Sequence, residues 1–330
     1  MVAKNNLAVF TGNAHPQLAH AICQSLGIAL GKAEVFQFSN ENIFVKILEN
    51  VRGRDVFVVQ PLTHPVNTSI MELLIMLDAF KRASAQRVTA VVPYYSYGRT
   101  DKKDQPRVPI TARLIADCIS VAGANRVLTM DLHAGQIQGF FNIPVDELTA
   151  MLILTDYIRR KRIPDLTVVA TDTGFAKKAR NVAESLDAPL AIVEKRRVGN
   201  GGRTEAMSLI GSVAGRAALV VDEEIDTAGT LVQAVRVARE HGARDVYACA
   251  SHGVLSGPAI ERLAVANIKE LILTDSVPLS PEKRLPNMTT LSVAGLFARA
   301  IRRIHEGRSV SSLFRESAAD EEGEGEDVDD

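Results

Sequence analysis

The chain has 330 residues, 46% of them hydrophobic and 23% charged, and a formal net charge of −1. That composition is globular, and the length favours two hydrophobic cores over one. No uncharged apolar run reaches the length of a membrane span, the N-terminal MVAKNNLAVFTG lacks a signal-peptide core, and three cysteines without a CxxC pair suggest neither a disulfide framework nor a zinc site.

A cytoplasmic protein is therefore expected. The small net charge hides an asymmetry, because residues 316–330 (ESAADEEGEGEDVDD) hold nine of the 39 acids and no Lys or Arg, leaving 38 basic against 30 acidic residues elsewhere. A basic body suits polyanionic small molecules, and the acidic tail has the composition of a disordered, solubilising extension.

Short apolar runs alternate with amphipathic segments in chain order. Strands are expected at 7–12, 55–61, 87–94, 126–131, 166–172, 190–195, 217–222, 245–251 and 269–275. Helices are expected within 15–27, 68–84, 110–123, 174–186 and 231–242, where apolar residues recur at three or four residue spacing. Strands alternating with helices argue an α/β class with mainly parallel sheets. A break at 144–150 (PVDELTA) divides the chain into halves, 1–147 and 148–315. RVLTMDLHAGQIQG in one half and AALVVDEEIDTAGTL in the other are each a strand ending in Asp before a Gly-containing turn, which suggests duplication.

The stretch ALVVDEEIDTAGT at 218–230 sets four carboxylates after a buried-looking strand. Like charges so close raise one another's pKa, so a cation or hydroxyl groups are expected to meet them. A solvated turn is the plain alternative, since Asp, Thr and Gly are ordinary turn residues. Against it stands the order of strand, acids, Thr/Gly turn and amphipathic helix, which forms a phosphate site from backbone N–H groups at a helix N-terminus. Thr227 and Thr230 add hydroxyl donors, and the acids remain for sugar hydroxyls or a metal. A phosphorylated sugar satisfies both halves of the motif.

This motif resembles the phosphoribosyl pyrophosphate motif of type I phosphoribosyltransferases. GNAHPQLA, MELLIMLDAFKRASAQRVTAVVPYYSYGRTDKK, DLHAGQIQGFFNIPVDEL, APLAIVEKRR, SHGVLSG and RRIHEGRSVSSLF occur with it, in an order that resembles the ribose-phosphate pyrophosphokinase family over about residues 7–315. The resemblance implies two tandem phosphoribosyltransferase type I-like domains, with the ribose 5-phosphate site in the second. It also implies hexamers built from dimers, and transfer of the β,γ-diphosphate of magnesium ATP to C1 of ribose 5-phosphate.

Residue by residue, it implies that Lys195 and Arg197, before the Gly-rich VGNGG, stabilise transition-state charge beneath a lid, with Arg197 also on ribose 5-phosphate. His133 and Asp172 would hold Mg2+, His133 also contacting ATP. Phe38, Asn40, Glu41, Asn42, Arg99 and Thr100 would hold ATP, with adenine between Arg99 and a Phe38 supplied by a neighbouring subunit. Asp222 and Glu223 would take the ribose 2- and 3-hydroxyls, while Asp226, Thr227, Ala228, Gly229 and Thr230 wrap the 5-phosphate and Asp226 orients the attacking hydroxyl.

Four places depart from the commoner family pattern: Asn40-Glu41-Asn42 for Asp-Gly-Glu; Gly98 and Thr100 for Ala and Gln; TDTGF, with Phe175, in the diphosphate loop; and Glu223-Glu224 for Asp and an apolar residue. Two other readings fit parts of the pattern. A catalytically silent associated subunit should lack the lid and metal pair, and a phosphoribosyltransferase should lack DLH and EKRR. Dispersed basic residues argue against nucleic acid, and no Walker loop occurs.

Overall fold

The computed structural model describes residues 6–198 and 204–314, with the side chains of 195–198, 204–206 and 314 outside the description. The chain forms two compact units. The first gathers Met1–Thr149 with Ser276–Pro278 and Ser292–Glu316; the second holds Ala150–Asp275 and Leu279–Leu291.

The first unit runs β1 (Leu7–Thr11), α1 (Pro16–Leu26), β2 (Ala33–Gln37), β3 (Ile43–Ile47), β4 (Asp55–Val59), α2 (Val66–Arg82), β5 (Arg87–Val92), α3 (Thr111–Ala122), β6 (Arg126–Met130), a 3-10 turn (Gly135–Phe140) and β7 (Val145–Leu148). Its sheet has the order β1-β4-β5-β6-β7, every pair parallel. Parallel strands covered on both faces read as continuous apolar runs, and all five residues of β4 are buried. Phe10 and Phe80 meet at a tilt of 50° with ring centroids 4.6 Å apart in a core shared with Leu73, Leu77 and Ile119. β2 and β3 form a separate antiparallel hairpin.

PVDELTA, expected as a break, is instead the edge strand β7, with Leu148 buried beside Met130 in register. Its acids hid it: Asp146 meets the Arg126 guanidinium on the neighbouring strand, so a charged strand is satisfied at the sheet edge.

The second unit runs α4 (Met151–Lys161), β8 (Leu166–Ala170), α5 (Ala176–Ser185), β9 (Leu190–Val198), β10 (Thr204–Ile210), β11 (Ala217–Ile225), α6 (Gly229–Glu240), β12 (Asp245–Gly253), α7 (Ala259–Ala264), β13 (Glu270–Thr274) and β14 (Met288–Leu291). The order is β10-β9-β8-β11-β12-β13-β14, parallel except for the β9–β10 hairpin. β11 lies between β8 and β12, so its C-terminal end opens at the middle of the sheet.

The last helix, α8 (Ala294–Glu306), clusters with the first unit, whereas the sequence division placed it with residues 148–315. The cause is a buried face, Phe297, Ile301 and Ile304, together with polar ties. His305 Nδ1 lies 2.8 Å from Asp55 Oδ2, and Arg87 binds both the Asp55 carboxylate and the Ile304 carbonyl.

Candidate active site

The strand expected to stop at Asp222 continues to Ile225. Burial then alternates, with Glu223 and Ile225 buried and Asp222 and Glu224 half-buried, as the two-residue period of a strand requires. Asp222 accepts from Thr171 Oγ1 at 3.0 Å and from the Glu223 N–H at 2.8 Å. Burial pushes its carboxyl up to about 6 against the lowering effect of those two donors, with the Glu223 and Asp172 charges adding to the rise. Glu223 is buried and ion-paired to Lys178 Nζ at 2.5 Å.

Beyond the strand the chain turns through Asp226, Thr227 and Ala228 into α6. Asp226 receives the Ser256 hydroxyl on its carboxylate and the Ser256 N–H on its carbonyl. Arg262 Nη1 donates to the Thr227 carbonyl at 2.9 Å. Ala228 sits in the left-handed region, φ 61° and ψ 5°, and caps α6 without a side-chain hydrogen bond. No acid occupies the first turn of α6, so its opening N–H groups and the positive end of the helix dipole suit an anion.

At the end of β8, Asp172 Oδ1 accepts the Phe175 N–H at 2.9 Å. Phe175 is buried in the core with Ala179 and Val182. β9 carries Lys195 and Arg197 at backbone positions opposite Met207 and Glu205; their side chains, and the lid positions Gly199, Gly201 and Gly202, lie outside the described residues. So does the acidic tail expected at 316–330.

In the first unit, two loops meet. Asp131, buried with φ 39°, follows β6 ahead of His133, and Leu132 N–H donates to Glu147 Oε1 at 2.9 Å. A Cβ at Gly98 would stand 3.2 Å from His133 Cβ, so the Gly98–Arg99–Thr100 turn packs directly on the histidine segment. Thr100 closes that turn on the Tyr97 carbonyl through both N–H and hydroxyl. Phe38 lies half exposed at the end of the β2–β3 hairpin, its centroid 5.0 Å from Phe36 and 5.8 Å from Phe44. Asn40, Glu41 and Asn42 form the hairpin tip, where Glu41 takes φ 67°, a region that favours glycine. Sequence reasoning missed the hairpin itself. The β-branched Ile43, Val45 and Ile47 at two-residue spacing were the available signal.

Among the described residues, no group of three or more His, Cys, Asp or Glu is placed to hold a metal. Mg2+ does not require one, because it keeps waters and binds through one or two carboxylates plus substrate phosphates. Asp172, just past the end of β8, is an oxygen donor of the right chemistry for such a hard cation.

A mainly parallel sheet whose central strand ends in acids, a tight turn and an uncapped helix start is an α/β arrangement that sets carboxylates beside an anion-suited helix N-terminus. Family models for the N-terminal domain of ribose phosphate pyrophosphokinase and for the phosphoribosyl synthetase-associated domain match residues 7–123 and 198–315. A ribose-phosphate pyrophosphokinase of Caldanaerobacter subterraneus subsp. tengcongensis is 55% identical over 94% of this chain and 98% of its own. One from Clostridium acetobutylicum is 52% identical over the same shares. The crystal structure of phosphoribosylpyrophosphate synthetase from Mycobacterium smegmatis superposes with a TM-score of 0.87 at 44% identity, covering 92% of this chain and all of that one. The chain belongs to the ribose-phosphate pyrophosphokinase family, and is an enzyme of phosphoribosyl pyrophosphate synthesis.

Proposed function

We propose that the enzyme transfers the diphosphate of magnesium ATP to the C1 hydroxyl of ribose 5-phosphate, giving 5-phosphoribosyl 1-pyrophosphate and AMP. The observation that carries this reading is the β11–α6 turn: acids for ribose hydroxyls at the strand end, and an uncapped helix start for the 5-phosphate a few residues on. Asp222 accepts from a ribose hydroxyl, and Asp226, held by Ser256, orients the attacking C1 hydroxyl. Thr227 through Thr230 receive the 5-phosphate.

Diphosphoryl transfer needs alignment and positive charge more than covalent help. Lys195 and Arg197 supply that charge. His133 and Asp172 are the proposed Mg2+ ligands, and the metal would neutralise polyphosphate charge when bound. Arg99, Thr100 and the Phe38–Asn42 tip take the nucleotide, with the tip serving a neighbouring copy in a dimer-based hexamer. The two units act as two phosphoribosyltransferase-type domains. No helix among the described residues is long and apolar enough to cross a membrane.

Product analysis tests the reading. With ribose 5-phosphate, Mg2+ and ATP, chromatography should show AMP forming; ADP in its place would mean single phosphoryl transfer and sink the assignment, and no product would favour a silent subunit.

A further inference from the structure

Lys178 stands apart from the groups assigned to substrate. It lies in the first turn of α5, a ten-residue helix with no acid in that turn, where the helix dipole disfavours a cation. Something must offset that placement. The Nζ is 2.5 Å from Glu223 Oε2 on β11 and 5.9 Å from the centroid of the Phe175 ring. Both partners are 6% exposed. Lys178 thus joins two of the positions at which this chain departs from the commoner family pattern, Phe175 in the loop after β8 and Glu223 in the acid run. An extra methylene at residue 223 relative to Asp lengthens the carboxylate's reach toward α5.

The same loop and strand are tied once more, by Thr171 Oγ1 donating to Asp222, while Asp172 closes the loop on the Phe175 N–H. The geometry points to Lys178 as a positioning residue: by bridging Phe175 and Glu223 it fixes the 171–175 loop against the end of β11, and so sets where Asp222 meets the ribose. Glu223 acts through this pair, not as a second hydroxyl acceptor, because its carboxylate is buried against the lysine on a strand where neighbouring side chains alternate in direction. Without the lysine, the buried Glu223 carboxylate would lose the cation 2.5 Å from it.

The inference rests on the reading of Asp222 as the ribose acceptor, and the variants separate the two. Lys178→Met is expected to raise KM for ribose 5-phosphate about tenfold, as a displaced substrate-binding group does. Lys178→Arg, which keeps the charge and reach, should stay within about threefold of the parent. Lys178→Met with Glu223→Gln removes the buried charge along with its lysine and does not restore the tie, so its melting temperature should recover while KM for ribose 5-phosphate stays raised. Recovery of KM together with stability would reduce the pair to a folding role and overturn the proposal, as would a Lys178→Met enzyme with parental KM. Asp222→Asn is the separate control: parental KM for ribose 5-phosphate in that variant would remove the ribose reading itself.

Discussion

The two strand-end loops, one in each unit, begin alike and finish differently. After β6 the chain passes Asp131 and His133 into a six-residue 3-10 turn, then reaches Pro144 and the edge strand β7. After β11 it passes Asp222 and Asp226 into the twelve-residue helix α6. The difference lies in the residues after the glycine. LVQAVRVARE supplies helix formers with a buried stripe of Leu231, Ala234, Val235 and Ala238, whereas GQIQGF carries two glycines and too few residues to nucleate an α-helix. Only the second loop therefore offers an α-helix N-terminus to a phosphate. The first is held by side chains, with Glu147 accepting from Leu132 and Gln138 and Asp101 accepting from Gln136, and presents an imidazole instead.

The sharpest way to break this division of labour is at Asp226. Asp226→Ala should lower kcat for ribose 5-phosphate about 10³-fold, the scale for losing a group that orients or accepts a proton, in steady-state assays. Unchanged turnover would leave the C1 hydroxyl without its proposed partner.

A smaller effect is expected at Asp222, whose carboxyl burial pushes up to about 6. A raised carboxyl pKa favours the neutral form in the folded protein, so its stabilising contribution is complete below pH ~4 and is lost as pH rises through about 6. Relative to the parent, Asp222→Asn should gain stability between those limits, by at most about 3 kcal/mol for a shift of this size, in denaturant titrations run at several pH values. Activity runs the other way. The ionised carboxylate is the proposed hydroxyl acceptor, so kcat/KM for ribose 5-phosphate should climb through the same interval in the parent. A stability difference independent of pH would contradict the role of burial.

Thr230→Val should raise KM for ribose 5-phosphate roughly tenfold by removing one hydroxyl donor to a charged phosphate, a bond worth about 1.5–3 kcal/mol. Gly135→Ala in the first loop, where a Cβ meets nothing within 4 Å, should leave that KM alone. Equal effects in both loops would erase the distinction between them. The smallest change is expected at Ala228→Gly: relief of a left-handed alanine, about 1 kcal/mol, is opposed by the entropy glycine adds to the unfolded chain, leaving thermal stability within about 1 kcal/mol of the parent.

Sequence periodicity captured the elements that bury one continuous stripe or run, α1, α2, α3, α5 and α6 and the central strands. It missed others, for more than one reason. α8 has a strong apolar face, but its partners include Asp55 and Arg87, more than 200 residues away, and no local pattern reports them. β7 was masked by acids that its neighbour neutralises. At the site, the order of acids, turn and helix was readable because each piece is local. The packing of Gly98 on His133 and the burial of Glu223 against Lys178 were not, since both depend on which loops the sheet brings side by side.

The most direct measurement is a crystal structure of the enzyme with ribose 5-phosphate and Mg2+. The 5-phosphate is expected on the N–H groups of residues 228–230, with a ribose hydroxyl on Asp222. A phosphate held by the His133 loop, with the α6 N-terminus empty, would contradict the proposed division between the two loops.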